Sequence, residues 1–110
     1  MKYLLIFIAL FFVGCATKLL PQAESVALLY EKPQNCKLLG REIGQEVDSW
    51  GVMSLLSLRQ SATNDLKNKA VSLGGDTIFV LNMEKGSNSI FGAPEYLIEG
   101  DIYECNNSDL

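Results

Sequence analysis

The clearest pattern of apolar and polar positions lies in the middle of the chain. Apolar residues recur there at spacings of three and four, as on one face of an α-helix. They are Leu55, Leu58, Ala62, Leu66, Ala70 and Leu73. Polar residues between them, including Asn64 and Asn68, are expected to face solvent. Gly74 is typical of a helix end. The pattern predicts one amphipathic helix, with a capping box from Ser57 and Gln60 if the helix begins there.

Four shorter segments, two on each side of the helix, have the length and apolar content of β-strands. They are residues 25–30, 36–43, 76–83 and 95–105. The third is almost entirely apolar at its centre, which predicts a strand buried on both faces. Residues 44–53 and 84–94 are expected to be loops. The order β-β-α-β-β predicts an α+β fold, a small two-layer sandwich with the helix packed on a sheet.

A different pattern begins the chain. Lys2 supplies a positive charge, residues 3–13 are apolar without a break, and small residues follow at 14–16. This layout is typical of a secretory signal peptide. The apolar run is shorter than the roughly 20 residues that a membrane-spanning helix needs. Residues 1–14 are therefore predicted to be a signal peptide that is removed. An uncleaved transmembrane anchor is the weaker alternative.

The segment Phe12-Val13-Gly14-Cys15 resembles the bacterial lipobox, although Phe12 stands where Leu is usual. The resemblance implies cleavage before Cys15, a thioether lipid on that cysteine, and acylation of the new N-terminus, with palmitate as the expected fatty acid. The alternative is an ordinary secretory signal cut elsewhere, with Cys15 in the core or in a disulfide. Ala16 follows where Asp would suggest inner-membrane retention. The resemblance thus implies an outer-membrane address facing the periplasm.

Lipidation would divide the mature chain into three parts. Residues 15–24 are predicted to be the lipidated N-terminus and a short tether, which extends to about 30 Å at most. Residues 25–105 are the predicted α+β domain, and residues 106–110 are a predicted disordered tail. The domain is therefore expected to lie close to the bilayer.

The cysteine count supports export. The chain has three cysteines and no histidine. If Cys15 carries lipid, Cys36 and Cys105 remain as a pair in an oxidising compartment. A disulfide between them is predicted, and closing so long a loop stabilises a fold by roughly 4 kcal/mol in the chain-entropy treatment. The alternative, a zinc or redox pair, lacks a CxxC motif and histidine ligands.

Charge excludes some partners. Without Lys2, 8 basic and 13 acidic side chains leave a net charge of −5. An acidic chain with no basic cluster is a poor candidate for binding nucleic acid or anionic lipid, so the lipid must supply membrane attachment. No phosphate loop or calcium loop is present, and neither a cofactor nor a metal is expected.

Candidate chemistry is sparse. The absence of histidine removes the commonest general base and the usual partner of a nucleophile. Glu99 and Asp101 share a strand face by alternation, and a solvated outer face is the favoured interpretation of that pair. A carboxylate-based hydrolase is the alternative. No catalytic residue is predicted.

Three aromatic or apolar residues in the predicted loops are candidates for partner binding: Trp50, Ile90 and Phe91. Tryptophan is enriched at the energetic centres of interfaces. For Trp50 the favoured interpretation is a lid over the edge of the core, and an exposed anchor for a partner is the alternative. Ile90 and Phe91 lie at the end of a second predicted loop. Three interpretations of this pair are open: it binds a partner, touches the membrane or folds back over the sheet.

Several of these motifs together resemble a family of uncharacterised Gram-negative lipoproteins that contain a domain of unknown function. The matching residues are Pro33, Cys36 and Gly40, then Ala62, Asn64, Leu66, Ala70, Leu73 and Gly74, and finally Gly100, Tyr103 and Cys105. Gly75 and Asp76 depart from the usual small residue and Asn, and Ile102 departs from the usual Ala. The arrangement is also similar, at the level of fold, to the signalling domain of the Rcs envelope-stress sensor lipoprotein, which is an analogy only.

The resemblance brings no activity with it. Combined with the anchor, the disulfide and the lack of a catalytic set, it predicts an outer-membrane-anchored periplasmic lipoprotein. That protein is expected to act as a non-enzymatic binding or envelope-sensing module, with the membrane as one partner and an envelope protein as another. The alternatives are a structural envelope component or a hydrolase.

Overall fold

Four strands and one α-helix form the domain in the computed structural model, which describes residues 17–87 and 92–105. In chain order they are β1 (Ala27–Leu29), β2 (Lys37–Val47), α1 (Leu55–Ser72), β3 (Thr77–Ser87) and β4 (Pro94–Glu104), with a 3₁₀ turn at Pro21–Ser25 before β1. The predicted order β-β-α-β-β is confirmed. The signal peptide, Cys15, Ile90, Phe91 and the predicted tail lie outside the described residues.

The strands form one mixed sheet in the order β1-β3-β4-β2. β1 runs parallel to β3 at one edge, whereas β3 and β2 both pair antiparallel with β4. Helix α1 packs on one face of this sheet, mainly over β2 and β4. The α+β two-layer prediction is confirmed. Among the described residues, no helix is long and apolar enough to cross a bilayer.

The core forms where the predicted helical stripe meets the sheet. Leu58, Ala62, Leu66 and Ala70 are buried against sheet residues that include Ile78, Ile98 and Ile102. The ends of the stripe, Leu55 and Leu73, are exposed instead. Burial of the central positions is what makes the 3.6-residue period a reliable signal here.

The helix begins earlier than a capping box at Ser57 and Gln60 requires, so that prediction is wrong. Ser54 is the N-cap, and its Oγ accepts a hydrogen bond from the Ser57 backbone N–H at 3.1 Å. Ser57 and Gln60 both lie inside the helix, and the Gln60 amide donates to Asn64 at 2.9 Å. The helix start is therefore satisfied by a simple serine cap.

Glycine allows the helix to approach the sheet closely at one point. A Cβ atom at Gly44 would lie 2.2 Å from the Ala62 carbonyl oxygen and 2.7 Å from Leu66 Cβ. At Gly40, on the same strand, the nearest atom would be 3.6 Å away, which is an ordinary contact. Only glycine fits at position 44.

Two strands extend beyond the segments that the apolar pattern indicated. β2 continues to Val47 and β3 to Ser87, so parts of both predicted loops are strand. The β3 extension is polar and exposed, the β2 extension is mostly partly buried, and both exist because they pair with the start of β4. Backbone hydrogen bonding to β4 decides their conformation, which apolar alternation does not reveal.

The predicted disulfide is confirmed. Cys36 and Cys105 are bonded, with 4.4 Å between their Cα atoms, and they flank the paired residues Lys37 and Glu104. Asp76 lies nearby. Its carboxylate accepts from the Cys105 N–H at 2.9 Å, and its backbone bonds to Ala27 and Tyr103 at 3.0 Å each. This end of the domain, which we call the disulfide end, is closely tied.

Residues 17–26, which we call the strap, lie against helix α1. The Asn68 side chain bonds the strap twice, accepting from Leu20 N–H at 2.9 Å and donating to the Lys18 carbonyl at 2.7 Å. The Asn64 amide donates to the Thr17 carbonyl at 3.1 Å. The expectation that both asparagines only face solvent was therefore wrong. Residues 17–24, for which the sequence indicated a tether, are packed on the helix.

Candidate functional site

The loop after β2 is built around one buried carboxylate. Asp48 is only 4% exposed, and its oxygens accept hydrogen bonds from the backbone N–H groups of Val52 at 3.1 Å and Met53 at 2.8 Å. Its own N–H donates to the Pro94 carbonyl at 2.8 Å, and its carbonyl accepts from Gly51 at 3.2 Å. An Asp side chain that bonds the following backbone in this way fixes a tight turn. Asp48 thus orders the loop and ties it to β4.

This ordered loop presents apolar side chains to solvent. Trp50 is 81% exposed, Val52 78%, and in the first helical turn Leu56 is 74% and Leu55 52% exposed. We call these four residues the tip. Trp50 does not cover the core, so the favoured interpretation of a lid is wrong. Large apolar side chains grouped on a surface are typical of an interaction site.

The tip lacks charge altogether. Residues 49–58 contain no Asp, Glu, Lys or Arg. The carboxylate that precedes them, Asp48, is buried and hydrogen-bonded within the loop. The side chains of the tip can themselves be removed from water without the cost of desolvating an ion, although Glu46 and Arg59 lie beside them.

The start of the strap lies beside the tip. The Thr17 N–H and hydroxyl both donate to Glu46 Oε1, at 3.2 and 2.9 Å, and the N–H also reaches Ser61 Oγ at 3.1 Å. Glu46 and Trp50 line the same shallow depression. The residue two positions before Thr17 is Cys15. The predicted lipidation site therefore leads directly into the neighbourhood of Trp50, although the sequence pointed to neither Glu46 nor Ser61.

Ile90 and Phe91 lie outside the described residues, but the residues that flank this segment are in place. Ser87 and Pro94 pair at the ends of β3 and β4. Pro94 is also the residue whose carbonyl accepts from Asp48. The connection between β3 and β4 therefore starts and ends at the same end of the sheet as the tip.

Glu99 and Asp101 lie on the sheet face opposite the helix. The residue between them, Gly100, points to the helix, since a Cβ there would lie 3.5 Å from Leu66. Asp101 is 9% exposed and forms an ion pair with Arg41, at 2.8 Å from Nε and 3.4 Å from Nη2. This hydrogen bond and the charge of Asp101 raise the pKa of Arg41. The two carboxylates share a face as predicted, but Asp101 is buried and paired with Arg41 rather than solvated.

A second concave surface near the tip is a groove between β1 and the helix. Its charged lining residues are both basic, and it contains neither Glu99 nor Asp101. The lining comprises Leu28, Tyr30, Leu56, Arg59, Gln60, Thr63, Lys67 and Met83.

Across residues 17–87 and 92–105, no group of three His, Cys, Asp or Glu side chains is arranged to hold a metal ion.

Comparison with known proteins matches most of the chain to one family. A family described as Domain of unknown function (DUF4156) matches residues 17–105. The chain is 30% identical over 112 aligned residues to Uncharacterized protein YjeI from Escherichia coli (strain K12), and the alignment covers 90% of each chain. Proteins with the same name from Escherichia coli O6:H1 and Shigella flexneri match with the same identity and coverage.

Proposed function

We propose that this chain, which belongs to the DUF4156 family, is an envelope lipoprotein that acts by binding through its apolar tip and not by catalysis. In this proposal residues 1–14 are removed, Cys15 carries the lipid, and the domain faces the periplasm from the outer membrane. The observation that carries the proposal is the tip itself, four exposed apolar side chains on a loop that Asp48 holds in place.

An ordered apolar loop supports a binding role on energetic grounds. Exposed large apolar groups gain free energy when a partner removes them from water, at about 25 cal/mol for each Å² buried. Because Asp48 already orders the backbone, binding would cost little additional conformational entropy. Tryptophan combines a large apolar surface with an N–H donor, which suits it to contacts of this kind.

The anchor is supported by the lipobox-like segment and by the disulfide. A bond between Cys36 and Cys105 fits an oxidising compartment such as the periplasm. It also leaves Cys15 as the third cysteine, available for lipid. Several acyl chains on one residue meet the requirement for stable membrane attachment.

The remaining polar groups favour binding over catalysis. The 110 residues include no histidine. Of the two carboxylates that a hydrolase would use, Asp101 is held in the ion pair with Arg41. An acid–base pair needs both groups free to exchange protons, so this arrangement suits a structural role.

Metabolic labelling with a palmitate analogue tests the anchor. The unaltered protein is expected to take up the label and to sediment with membranes, whereas Cys15→Ser should do neither. The double variant Cys36→Ser with Cys105→Ser keeps Cys15 and is expected to retain the label. Labelling of Cys15→Ser, or no labelling of the unaltered protein, would contradict lipidation at this residue.

Photo-crosslinking tests the tip. A photoreactive residue at position 50 or 56 is expected to form adducts with envelope components in cells. Leu38 is the matched control, because it is also an exposed apolar residue, at 55%, but lies near the disulfide end. Equal adducts from position 38, or none from the tip, would show that the tip is not the binding surface.

A further inference from the structure

We infer that the tip binds the lipid bilayer itself, with Trp50, Val52, Leu55 and Leu56 in the headgroup region of the membrane that holds Cys15. The inference rests on the proposed function for one element, the lipid on Cys15. It adds the partner of the tip and the orientation of the domain on the membrane.

The strap leads towards the beginning of helix α1. From β1 back towards the N-terminus, the strap contacts Asn68 through Leu20 and Lys18, and then Asn64 and Ser61 through Thr17. It therefore runs along α1 towards the beginning of the helix. Ser61 is six residues after Leu55, which is about 9 Å along the helix axis.

Covalent geometry limits how far Cys15 can lie from Thr17. Cys15 is two residues before Thr17, so their Cα atoms are at most about 7 Å apart. A lipid on Cys15 must enter the bilayer, and Thr17 is fixed to Glu46 and Ser61. The end of the domain that bears the tip is then held at the membrane surface. The disulfide end lies at the far end of β2, about 30 Å away for an eleven-residue strand.

The chemistry of the tip suits the headgroup region of a bilayer. Tryptophan is enriched at the interface between lipid headgroups and hydrocarbon. The ten residues 49–58 have no charge to desolvate. The side chains that are more than 70% exposed protrude from the domain, and such a protrusion can enter a headgroup layer without a complementary pocket. Because the whole chain has a net charge of −4, apolar burial and not attraction to anionic lipid would hold the tip there.

Trp50 is the only tryptophan in the chain, so its fluorescence reports on the tip alone. The experiment uses the lipidated mature protein in phosphatidylcholine vesicles, with and without bromine on the acyl chains. Contact with the bilayer is expected to shift the emission of Trp50 to a shorter wavelength. The reference is the emission of Trp50 in the Cys15→Ser protein, which carries no lipid and is measured in buffer without detergent. Brominated lipid is expected to quench the emission of the lipidated protein strongly. Replacing some phosphatidylcholine with phosphatidylglycerol, or adding salt, should leave the quenching unchanged.

A relocated tryptophan is the matched control. The variant Trp50→Phe with Leu38→Trp carries the same lipid but places the only indole near the disulfide end. Its emission is expected to be unquenched. A second variant, Asn64→Ala with Asn68→Ala, loosens the strap and should reduce the quenching of Trp50 while palmitate labelling continues.

The outcomes separate this inference from the proposed function. If the lipidated protein shows no more quenching at Trp50 than at position 38, bilayer docking is refuted, and protein adducts from Trp50 would then identify a protein as the partner of the tip. Quenching that depends on phosphatidylglycerol would refute docking by apolar burial. Failure of palmitate labelling would refute the anchor, which is tested independently.

Discussion

The two ends of the domain are held together by different means. At the disulfide end, a covalent bond joins β2 to β4, Asp76 links three strands, and Tyr103 is buried. At the opposite end, hydrogen bonds from the backbone N–H groups of Val52 and Met53 to the Asp48 carboxylate order a loop whose large side chains are exposed. The comparison teaches that the disulfide end is held by covalent and hydrogen bonds that stabilise the fold, whereas the exposed side chains of the tip contribute little to it. Stability and the proposed binding are therefore expected to respond to different substitutions.

The largest effect is expected from opening the disulfide end. Replacing Cys36 and Cys105 with alanine releases a loop with a sequence separation of 69 residues. The free energy of unfolding should fall by about 4 kcal/mol because the unfolded chain gains conformational freedom. Urea denaturation followed by circular dichroism measures the change. A loss that is small compared with this value would mean that the contacts of Asp76 hold the end without the covalent bond.

The next largest effect is expected at Gly44, where helix and sheet approach most closely. Gly44→Ala forces a methyl group against the Ala62 carbonyl and should reduce stability by about 3 kcal/mol. Gly40→Ala is the control on the same strand, because its new methyl group would make only an ordinary contact with Leu73. If both variants lose the same stability, the close approach is not the cause.

A smaller effect is expected from removing the carboxylate that orders the tip. Asp48→Ala leaves the N–H groups of Val52 and Met53 without their partner and should cost about 2 kcal/mol. Hydrogen exchange at these two amides is expected to accelerate, while exchange near Cys105 stays slow. Ser49→Ala, at an exposed neighbour, serves as the control. Unchanged exchange at Val52 and Met53 would show that the loop is ordered by other contacts.

The smallest effect on stability is expected from the tip residues themselves. Trp50→Ala and Leu56→Ala should each change the free energy of unfolding by no more than about 0.5 kcal/mol, because both side chains are exposed. Leu58→Ala, two residues further along the same helix but buried, should cost about 3 kcal/mol. Binding through the tip should show the reverse order, because Trp50→Ala and Leu56→Ala should weaken it more than Leu58→Ala does. A large loss of stability in Trp50→Ala would erase the distinction between the two ends.

The elements that could be predicted from the sequence are those with a local or covalent signature. The period of Leu58, Ala62 and Leu66 indicated the helix and its buried face, and the paired cysteines indicated how two strands are joined. The polar extensions of β2 and β3 could not be predicted in the same way. Their conformation depends on pairing with β4, which is distant in sequence.

The candidate site was only partly predictable for a similar reason. Trp50 was identified from residue type, but its exposure depends on Asp48 turning inward to bond Val52 and Met53. The strap left no periodic pattern at all. It depends on hydrogen bonds between residues such as Leu20 and Asn68, which are 48 positions apart. Asparagines on the polar side of a helix gave no sign that they bind a backbone segment.

Under the proposed lipidation of Cys15, the strap also determines how a mechanical load on the lipid would reach the domain. A pull on Cys15 away from the tip acts first on the bonds of Thr17 to Glu46 and Ser61, and next on the pair of bonds between Asn68 and the strap. Ala23 and Val26, which are buried in the core, would then have to be withdrawn before tension reaches Ala27 at the start of β1. Tension on the lipid would thus release the attachment in steps, first at the hydrogen bonds of residues 17–20 and then at the core.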